Sequence, residues 1–182
     1  YLSRGACEDL VLLTLGTGVG GGIVLGGKLL TGKVGCGSEL GHLYVGSGAD
    51  CGCGAHGCLE AWASTEGLIR IAASRGHQCK DGRAFFNACA DSENWALQLA
   101  QEAGAALGRG LASISNAVNP EVLILSGGLC HGREFFESAV NEALDFHAIP
   151  PARAALELEW AGRAEDLSLI GAADLALVSA GA

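Results

Sequence analysis

Short apolar runs alternate with glycine clusters through the first part of the chain. Residues 11–15 form a β-prone run that enters the glycine-rich segment, residues 16–22, and residues 23–25 are apolar again. This pattern predicts a β-hairpin. The next predicted elements are a turn at residues 26–27, a strand at 28–30, a glycine-rich loop at 31–38 and a strand at 42–45.

The rest of the chain alternates between helical and strand patterns. Apolar residues recur at helical spacing over residues 60–73 and 93–118, with a polar stretch between them, and the second helix is predicted to end before Asn119-Pro120. Residues 122–125 form a continuous apolar run, typical of a strand buried on both faces. Further predicted elements are a helix at 133–146, a strand at 156–160 and one more element at 167–180. A β-meander followed by alternating helices and strands predicts an α/β layered domain.

Composition fits a single globular domain. Hydrophobic residues make up 49% and charged residues 17% of the 182 residues, and single domains most often have about 100 to 150 residues. The net charge of −9 disfavours nucleic-acid binding, which depends on Lys and Arg. No apolar run approaches the roughly 18 residues of a membrane span, and no signal peptide is evident, so we expect a soluble, cytoplasmic protein. Because the chain contains no methionine, we expect a piece of a longer protein.

Three of the eight cysteines, Cys51, Cys53 and Cys58, lie within eight residues. Such spacing in a chain that looks intracellular favours a metal over disulfides, and we interpret the other five as reduced thiols. His42 completes a closed tetrahedral zinc set, which braces structure and leaves no open position for water. His56 is a rival fourth ligand, but His42 is preferred because a more distant residue ties more of the chain together.

The glycine-rich segment has two possible functions. Glycines let consecutive backbone N–H groups converge on a phosphate, and Thr17 adds a hydroxyl donor. The pattern is neither a Walker loop nor the dinucleotide fingerprint, because no Lys-Ser/Thr follows it and a strand follows in place of a helix. From the residues alone, phosphate binding and a merely structural hairpin both remain possible.

Two carboxylates flank the cysteines. Glu39 lies three residues before His42, and Glu60 lies two residues after Cys58, so one metal would draw both toward a common region. Carboxylates accept hydrogen bonds from sugar hydroxyls. The alternative, that Glu60 only begins a helix and Glu39 is only solvated, is equally compatible with the sequence.

Three segments taken together resemble the signature of the ROK family (repressors, open reading frames and kinases). They are residues 15–22, 39–42 and 51–60. The match is specific in order and spacing over residues 11–64, and the remainder matches in element order and in Ser126-Gly127-Gly128. The resemblance implies an actin-like, ribonuclease H-like fold in two domains. Residues 1–182 would be the C-terminal one, with an inserted zinc loop.

The resemblance also implies roles for the matching positions. Glu39, His42 and Glu60 would contact sugar hydroxyls, while His42 would use its other ring nitrogen to hold zinc with Cys51, Cys53 and Cys58. The residues implied to contact ATP, which is used with Mg, are Gly16, Thr17, Gly18, Gly20, Gly21, Gly127 and Gly128, the last two beside the adenosine. The implied reaction is phosphorylation of a hexose or N-acetylhexosamine on its 6-hydroxyl.

Family kinases also carry a phosphate loop with a metal-associated Asp and an Asn-Asp-Ala motif whose Asp is the base. Neither is found in these 182 residues, and the nearest acids, Asp9 and Asp50, lie in no such motif. We therefore assign no catalytic residue and expect the base upstream of Tyr1. Because phosphoryl transfer depends on positioned groups, we expect this chain alone to be inactive.

Two other functions compete with a kinase. The chain could be the effector domain of a sugar-sensing repressor or a non-catalytic sugar-binding module. The intact glycines favour the kinase, because ROK-type repressors tend to lose them. Glucose is the first choice of sugar. The three-cysteine loop favours it over fructose, because family fructokinases tend to replace one thiol with histidine. N-acetylmannosamine and N-acetylglucosamine remain open as alternatives. The resemblance also predicts a homodimer.

Overall fold

The computed structural model describes residues 7–161, which form a five-stranded mixed sheet with strand order β3-β2-β1-β4-β5. The first three strands form an antiparallel meander, and β4 and β5 run parallel to β1. The strands are β1 (Leu10–Leu15), β2 (Val19–Leu25), β3 (Lys28–Leu29), β4 (Val122–Ser126) and β5 (Glu157–Trp160).

Helices fill the connections between the strands. They are α1 (Leu59–Ala63), α2 (Thr65–Ser74), α3 (Gly82–Ala90), α4 (Asn94–Val118), α5 (Arg133–His147) and α6 (Pro150–Ala155), with 3-10 helices at Leu40–His42 and Gly128–Gly132. Within residues 7–161, none of these helices has the length and apolar character needed to cross a bilayer.

The core is formed by buried residues of β1 and β4 together with those of α1 to α5, and α4 and α5 pack against each other. Every second residue of β1, namely Val11, Leu13 and Leu15, is buried, as the period of a strand requires. The two helices pack closely because glycines face the partner backbone. A Cβ on Gly104 would lie 2.7 Å from the Phe136 carbonyl oxygen, and one on Gly108 would lie 2.4 Å from that of Val140.

Most predicted elements are found, and the differences have local causes. The strand predicted at residues 42–45 was wrong, because Leu40–His42 forms a 3-10 helix and Tyr44 makes only an isolated bridge with Cys58. The helix predicted at 60–73 is divided at Ser64, which has an extended backbone and accepts a hydrogen bond from the Gly67 amide. Helices α3 and α6 were not predicted, and the element predicted at 167–180 lies outside the described residues.

Two glycine segments meet at the edge of the sheet where β1 and β4 end. Gly127 follows β4 with φ of 110°, in the region that favours glycine. A Cβ there would lie 2.3 Å from the Leu15 carbonyl oxygen, one residue before the glycine-rich segment. In open α/β sheets the carboxyl ends of parallel strands are the usual place for ligands.

Candidate sugar, phosphate and metal site

The structure brings together the four predicted metal ligands. Their ligand atoms, on His42, Cys51, Cys53 and Cys58, all lie within 4.8 Å of one another. The Cys53 and Cys58 sulfurs are 3.8 Å apart, and His42 Nδ1 is 3.8 Å from Cys51 Sγ. Tetrahedral zinc with Zn–S bonds of about 2.3 Å places two sulfur ligands about 3.8 Å apart, so the donor set and its spacing fit zinc.

Backbone hydrogen bonds shape the cysteine loop, which we define as residues 51–58. The Cys51 amide donates to the Ala55 carbonyl at 2.8 Å, and the Gly54 amide donates to the Cys51 carbonyl at 3.0 Å. Gly57 has φ of 77°, and a Cβ there would lie 2.2 Å from the Gly46 carbonyl oxygen. This close approach requires glycine and turns Cys58 back toward Cys53.

The thiols of the cluster differ in their surroundings. Burial raises the pKa of the Cys58 thiol to about 12, whereas a backbone hydrogen bond at Ala55 lowers the pKa of the exposed Cys53 thiol. A metal binds the thiolate form of cysteine. Metal binding at neutral pH must therefore displace a proton from Cys58, and affinity falls as the pH falls.

The geometry separates the two candidates for the fourth ligand. His56 Nδ1 lies 2.6 Å from Asp50 Oδ1, and these two side chains are 76% and 84% exposed. His42 Nδ1 instead faces the cluster. His42 is thus placed to bind a metal through Nδ1 and to keep Nε2 for another partner.

The two carboxylates occupy different surroundings. Glu60, in the first turn of α1, accepts a hydrogen bond from the Val19 amide through Oε2 at 3.0 Å, and its Oε1 lies 3.8 Å from Cys51 Sγ. Glu39 begins the 3-10 helix that carries His42, is exposed, and has no side-chain partner among residues 7–161. Glu60 therefore joins the cysteine cluster to the glycine-rich segment, and Glu39 lies free beside it.

The glycine turn, which we define as Gly16-Thr17-Gly18, carries unpaired donors. The Gly16 amide donates to the Gly18 carbonyl at 2.9 Å. Across the described part of the chain, the Thr17 and Gly18 amides and the Thr17 hydroxyl have no acceptor. Successive free N–H groups in a turn form an anion-binding concavity. The turn can therefore present two amides and a hydroxyl to a phosphate.

The remaining glycines predicted to contact ATP have two different environments. A Cβ on Gly20 would lie 2.6 Å from Thr14 Oγ1, and one on Gly21 would lie 2.6 Å from the Ser38 carbonyl oxygen. A side chain at Gly20 would displace the Thr14 side chain, and one at Gly21 would meet the backbone of the loop before the 3-10 helix, so local packing already favours glycine at both positions. Gly128 is exposed with open space around it, next to Gly127 at the carboxyl edge. Their proposed contacts with ATP stay predictions.

Two supporting residues were missed by sequence reasoning. Ser64 is fully buried and caps α2, and Ser before a helical run is a readable N-cap signal. Arg109, on α4, donates from Nε to the Val45 carbonyl at 2.5 Å and so holds the chain leading into the cysteine loop. No local signal identifies Arg109, because its acceptor is 64 residues away.

Comparison with known proteins gives a family match over nearly the whole chain. The model of the ROK family matches residues 2–179. A glucokinase of Thermotoga maritima is 33% identical over 92% of the chain, and an N-acetylmannosamine kinase of Escherichia fergusonii is 36% identical over 95%. The chain spans 58% of the length of each of these two relatives.

Solved structures show the same fold. A ROK hexokinase from Thermus thermophilus superposes with a TM-score of 0.84 at 34% identity, over 99% of this chain and 61% of that one. A ROK family transcriptional regulator, homologous to the Escherichia coli MLC protein, has a TM-score of 0.73 at 27% identity, covering 87% and 43%. A Streptomyces griseus ROK glucokinase in complex with glucose and AMPPNP has a TM-score of 0.68 at 26% identity, covering 87% and 56%. The prediction of an actin-like α/β fold with a cysteine and histidine cluster is confirmed.

Proposed function

This chain belongs to the ROK family, and on that premise we propose that it forms the sugar-binding and phosphate-binding part of a sugar kinase. The proposed reaction transfers the γ-phosphoryl group of ATP to the 6-hydroxyl of a hexose. The observation that carries the proposal is the glycine turn, whose free Thr17 and Gly18 amides lie at the carboxyl edge of the sheet. A repressor effector domain has no need of such a phosphate-binding turn.

The proposed reaction assigns separate tasks to the residues around the turn. Thr17 and Gly18 would hold phosphate oxygens of ATP, whose Mg²⁺ neutralises part of the charge. The exposed Gly128 leaves room for the nucleoside beside Gly127. Phosphoryl transfer depends mostly on such positioning and charge stabilisation. No described residue is proposed as the base that accepts the proton of the sugar.

Sugar recognition is proposed for Glu39, His42 and Glu60. The free carboxylate of Glu39 and the Nε2 atom of His42 can bond sugar hydroxyls, while Glu60 keeps part of its acceptor capacity beyond the Val19 amide. Zinc, when bound by His42 and the three cysteines, supplies a closed structural brace that fixes the orientation of the imidazole. Glucose is the first candidate sugar, and N-acetylmannosamine the second, because similar relatives carry both names.

A conservative substitution in the glycine turn tests the kinase proposal. In Thr17→Val the shape is kept and the hydroxyl is lost, so Mg·AMPPNP should bind roughly tenfold more weakly, since hydrogen bonds to charged groups contribute about 1.5–3 kcal/mol. Calorimetric titration of the 182-residue chain with Mg·AMPPNP, in the presence of glucose or N-acetylmannosamine, measures this change. Thr31→Val, which alters an exposed threonine outside the turn, is the matched control.

Two results would change the kinase proposal. Equal nucleotide affinity for Thr17→Val and the unaltered chain would exclude the Thr17 hydroxyl from phosphate binding and leave the Thr17 and Gly18 amides as the proposed donors. Sugar binding with no nucleotide binding at all would favour the effector domain of a sugar-sensing repressor, a function supported by the structural likeness to the ROK transcriptional regulator. The same result would fit a non-catalytic sugar-binding module.

A further inference from the structure

The glycine turn is held by the segment that directly follows the cysteine loop. Glu60 Oε2 accepts the hydrogen bond of the Val19 amide, and a Cβ on Gly18 would lie only 2.7 Å from the same oxygen. At the other end of the turn, the Thr65 amide donates to the Gly16 carbonyl at 2.8 Å. The turn is therefore fixed on both sides by residues 60–65.

The segment that carries His42 contacts the same part of β2. A Cβ on Gly41 would lie 2.4 Å from the Val19 carbonyl oxygen, so the 3-10 helix lies directly against the first residue of the strand. Val19 is only 7% exposed. Both segments that carry metal ligands thus meet at Val19, one through its amide and the other through its carbonyl.

The connection from Cys58 to α2 is rigid. Leu59 and Ser64 are fully buried, and the Leu59 amide donates to the Leu43 carbonyl at 2.8 Å. A Cβ on Gly67 would lie 2.3 Å from the Ala61 carbonyl oxygen, so α1 and the start of α2 are in close contact. A displacement of Cys58 must therefore move Glu60 and the amides that hold the glycine turn.

We propose that metal binding at the cysteine cluster positions the glycine turn, with Glu60 as the positioning residue that joins them. Ligation draws His42 and Cys58 together, and this fixes the Glu60 carboxylate on the Val19 amide. The inference rests on the metal site of the proposed function. Because linkage is reciprocal, zinc and a bound nucleotide phosphate tighten one another's binding by the same factor.

Amide hydrogen exchange of the 182-residue chain tests this positioning without any measurement of activity. Removing zinc with a chelator should speed exchange of the Val19 amide about tenfold, which corresponds to losing a hydrogen bond to a charged acceptor. Exchange of the α4 amides should stay slow, because that helix lies in the apolar core. In Glu60→Ala, Val19 should exchange fast with or without zinc, at unchanged zinc stoichiometry.

Three further variants sharpen the test. Glu60→Gln keeps an acceptor of the same shape and should retain most of the zinc dependence. Gly18→Ala leaves every ligand intact, but its Cβ displaces the Glu60 carboxylate, so it should uncouple Val19 from zinc even if Glu60→Ala fails to fold. Glu66→Ala is the matched control, since the Glu66 side chain is exposed and, among residues 7–161, pairs only with Arg70.

Each contrary result is distinct. If zinc binds and Val19 exchange is unchanged on chelation, the positioning is wrong while the proposed metal site survives. If chelation speeds exchange equally in α4, zinc stabilises the whole domain and the specific route through Glu60 is wrong. If no zinc binds, the metal site and the positioning both fail, while nucleotide binding measured by calorimetry still decides the kinase proposal.

Discussion

The helical core and the cysteine loop are stabilised by different kinds of interaction. In the core, α4 buries leucines and alanines, α5 buries Phe136, Val140 and Leu144, and glycines of α4 bring the two backbones into contact. In the cysteine loop, all residues from Gly52 to His56 are exposed, and the shape depends on turns, a few backbone hydrogen bonds and four side chains placed to hold a metal. Burial gives the core stability that does not depend on a ligand, whereas the loop depends on a small number of polar contacts and, in the proposed function, on a bound metal.

The largest expected effect on stability is in the core. Leu111→Ala removes a fully buried side chain from α4 and should lower the free energy of unfolding by about 3 kcal/mol, because transfer and cavity costs add. Urea denaturation measures the change, and the zinc affinity of the folded protein should stay the same. Leu30→Ala, at a position 41% exposed, is the control and should change stability little. A similar loss for both variants would show that the core assignment is wrong.

A substitution in the cysteine loop should instead lower the zinc affinity and leave the helical core unchanged. Cys58→Ser removes a buried ligand and should weaken zinc binding by more than about 100-fold, since even the loss of residues that only orient ligands costs 10–100-fold. Competition with a chromogenic chelator measures the affinity, and exchange of the α4 amides should be unchanged. Cys36→Ser alters an exposed thiol outside the cluster and should bind zinc normally. Unaltered zinc affinity in Cys58→Ser would exclude the four-ligand site.

A smaller effect is expected where the two regions meet. Ser64→Ala removes the N-cap of α2 and should cost about 1 kcal/mol of unfolding free energy. Because α2 also donates to the glycine turn, exchange of the hydrogen-bonded Gly16 and Val19 amides should rise more than exchange in α4. Ser113→Ala, whose hydroxyl bonds only its own helix, provides the comparison. A uniform rise in exchange would mean that Ser64 supports the core and not the turn.

The smallest effect concerns the exposed His56 side chain of the cysteine loop. His56→Ala should change the unfolding free energy by less than about 0.5 kcal/mol, as for other surface substitutions, and should leave zinc stoichiometry unchanged. His42→Ala should instead lower the zinc affinity, because its Nδ1 faces the cluster. Both are measured by the same chelator competition. If His56→Ala loses zinc and His42→Ala does not, then His56 is the fourth ligand in place of His42.

The sequence predicted the long regular elements of the fold better than the short segments around the site. The hairpin, the long helix α4 and the buried strand β4 follow from period and apolar content, which are local properties. The 3-10 helix at Leu40–His42 was not predicted, because contact with Val19 places it there. The cysteine ligands and the preference for His42 over His56 follow from the sequence, and the structure adds the distances, with His42 Nδ1 at 3.8 Å from Cys51 Sγ and His56 Nδ1 on Asp50.

By itself, the sequence determined the element types, the family resemblance and the chemistry available: three thiols, two histidines near them, two carboxylates and a run of glycines. Only the tertiary structure decided how these groups are connected. It placed Glu60 on the Val19 amide, left the Thr17 and Gly18 amides free, and set Arg109 on the Val45 carbonyl. The Glu60 contact spans 41 positions of the sequence, and the Arg109 contact spans 64. A local pattern cannot encode such contacts, because the close packing of whole elements creates them.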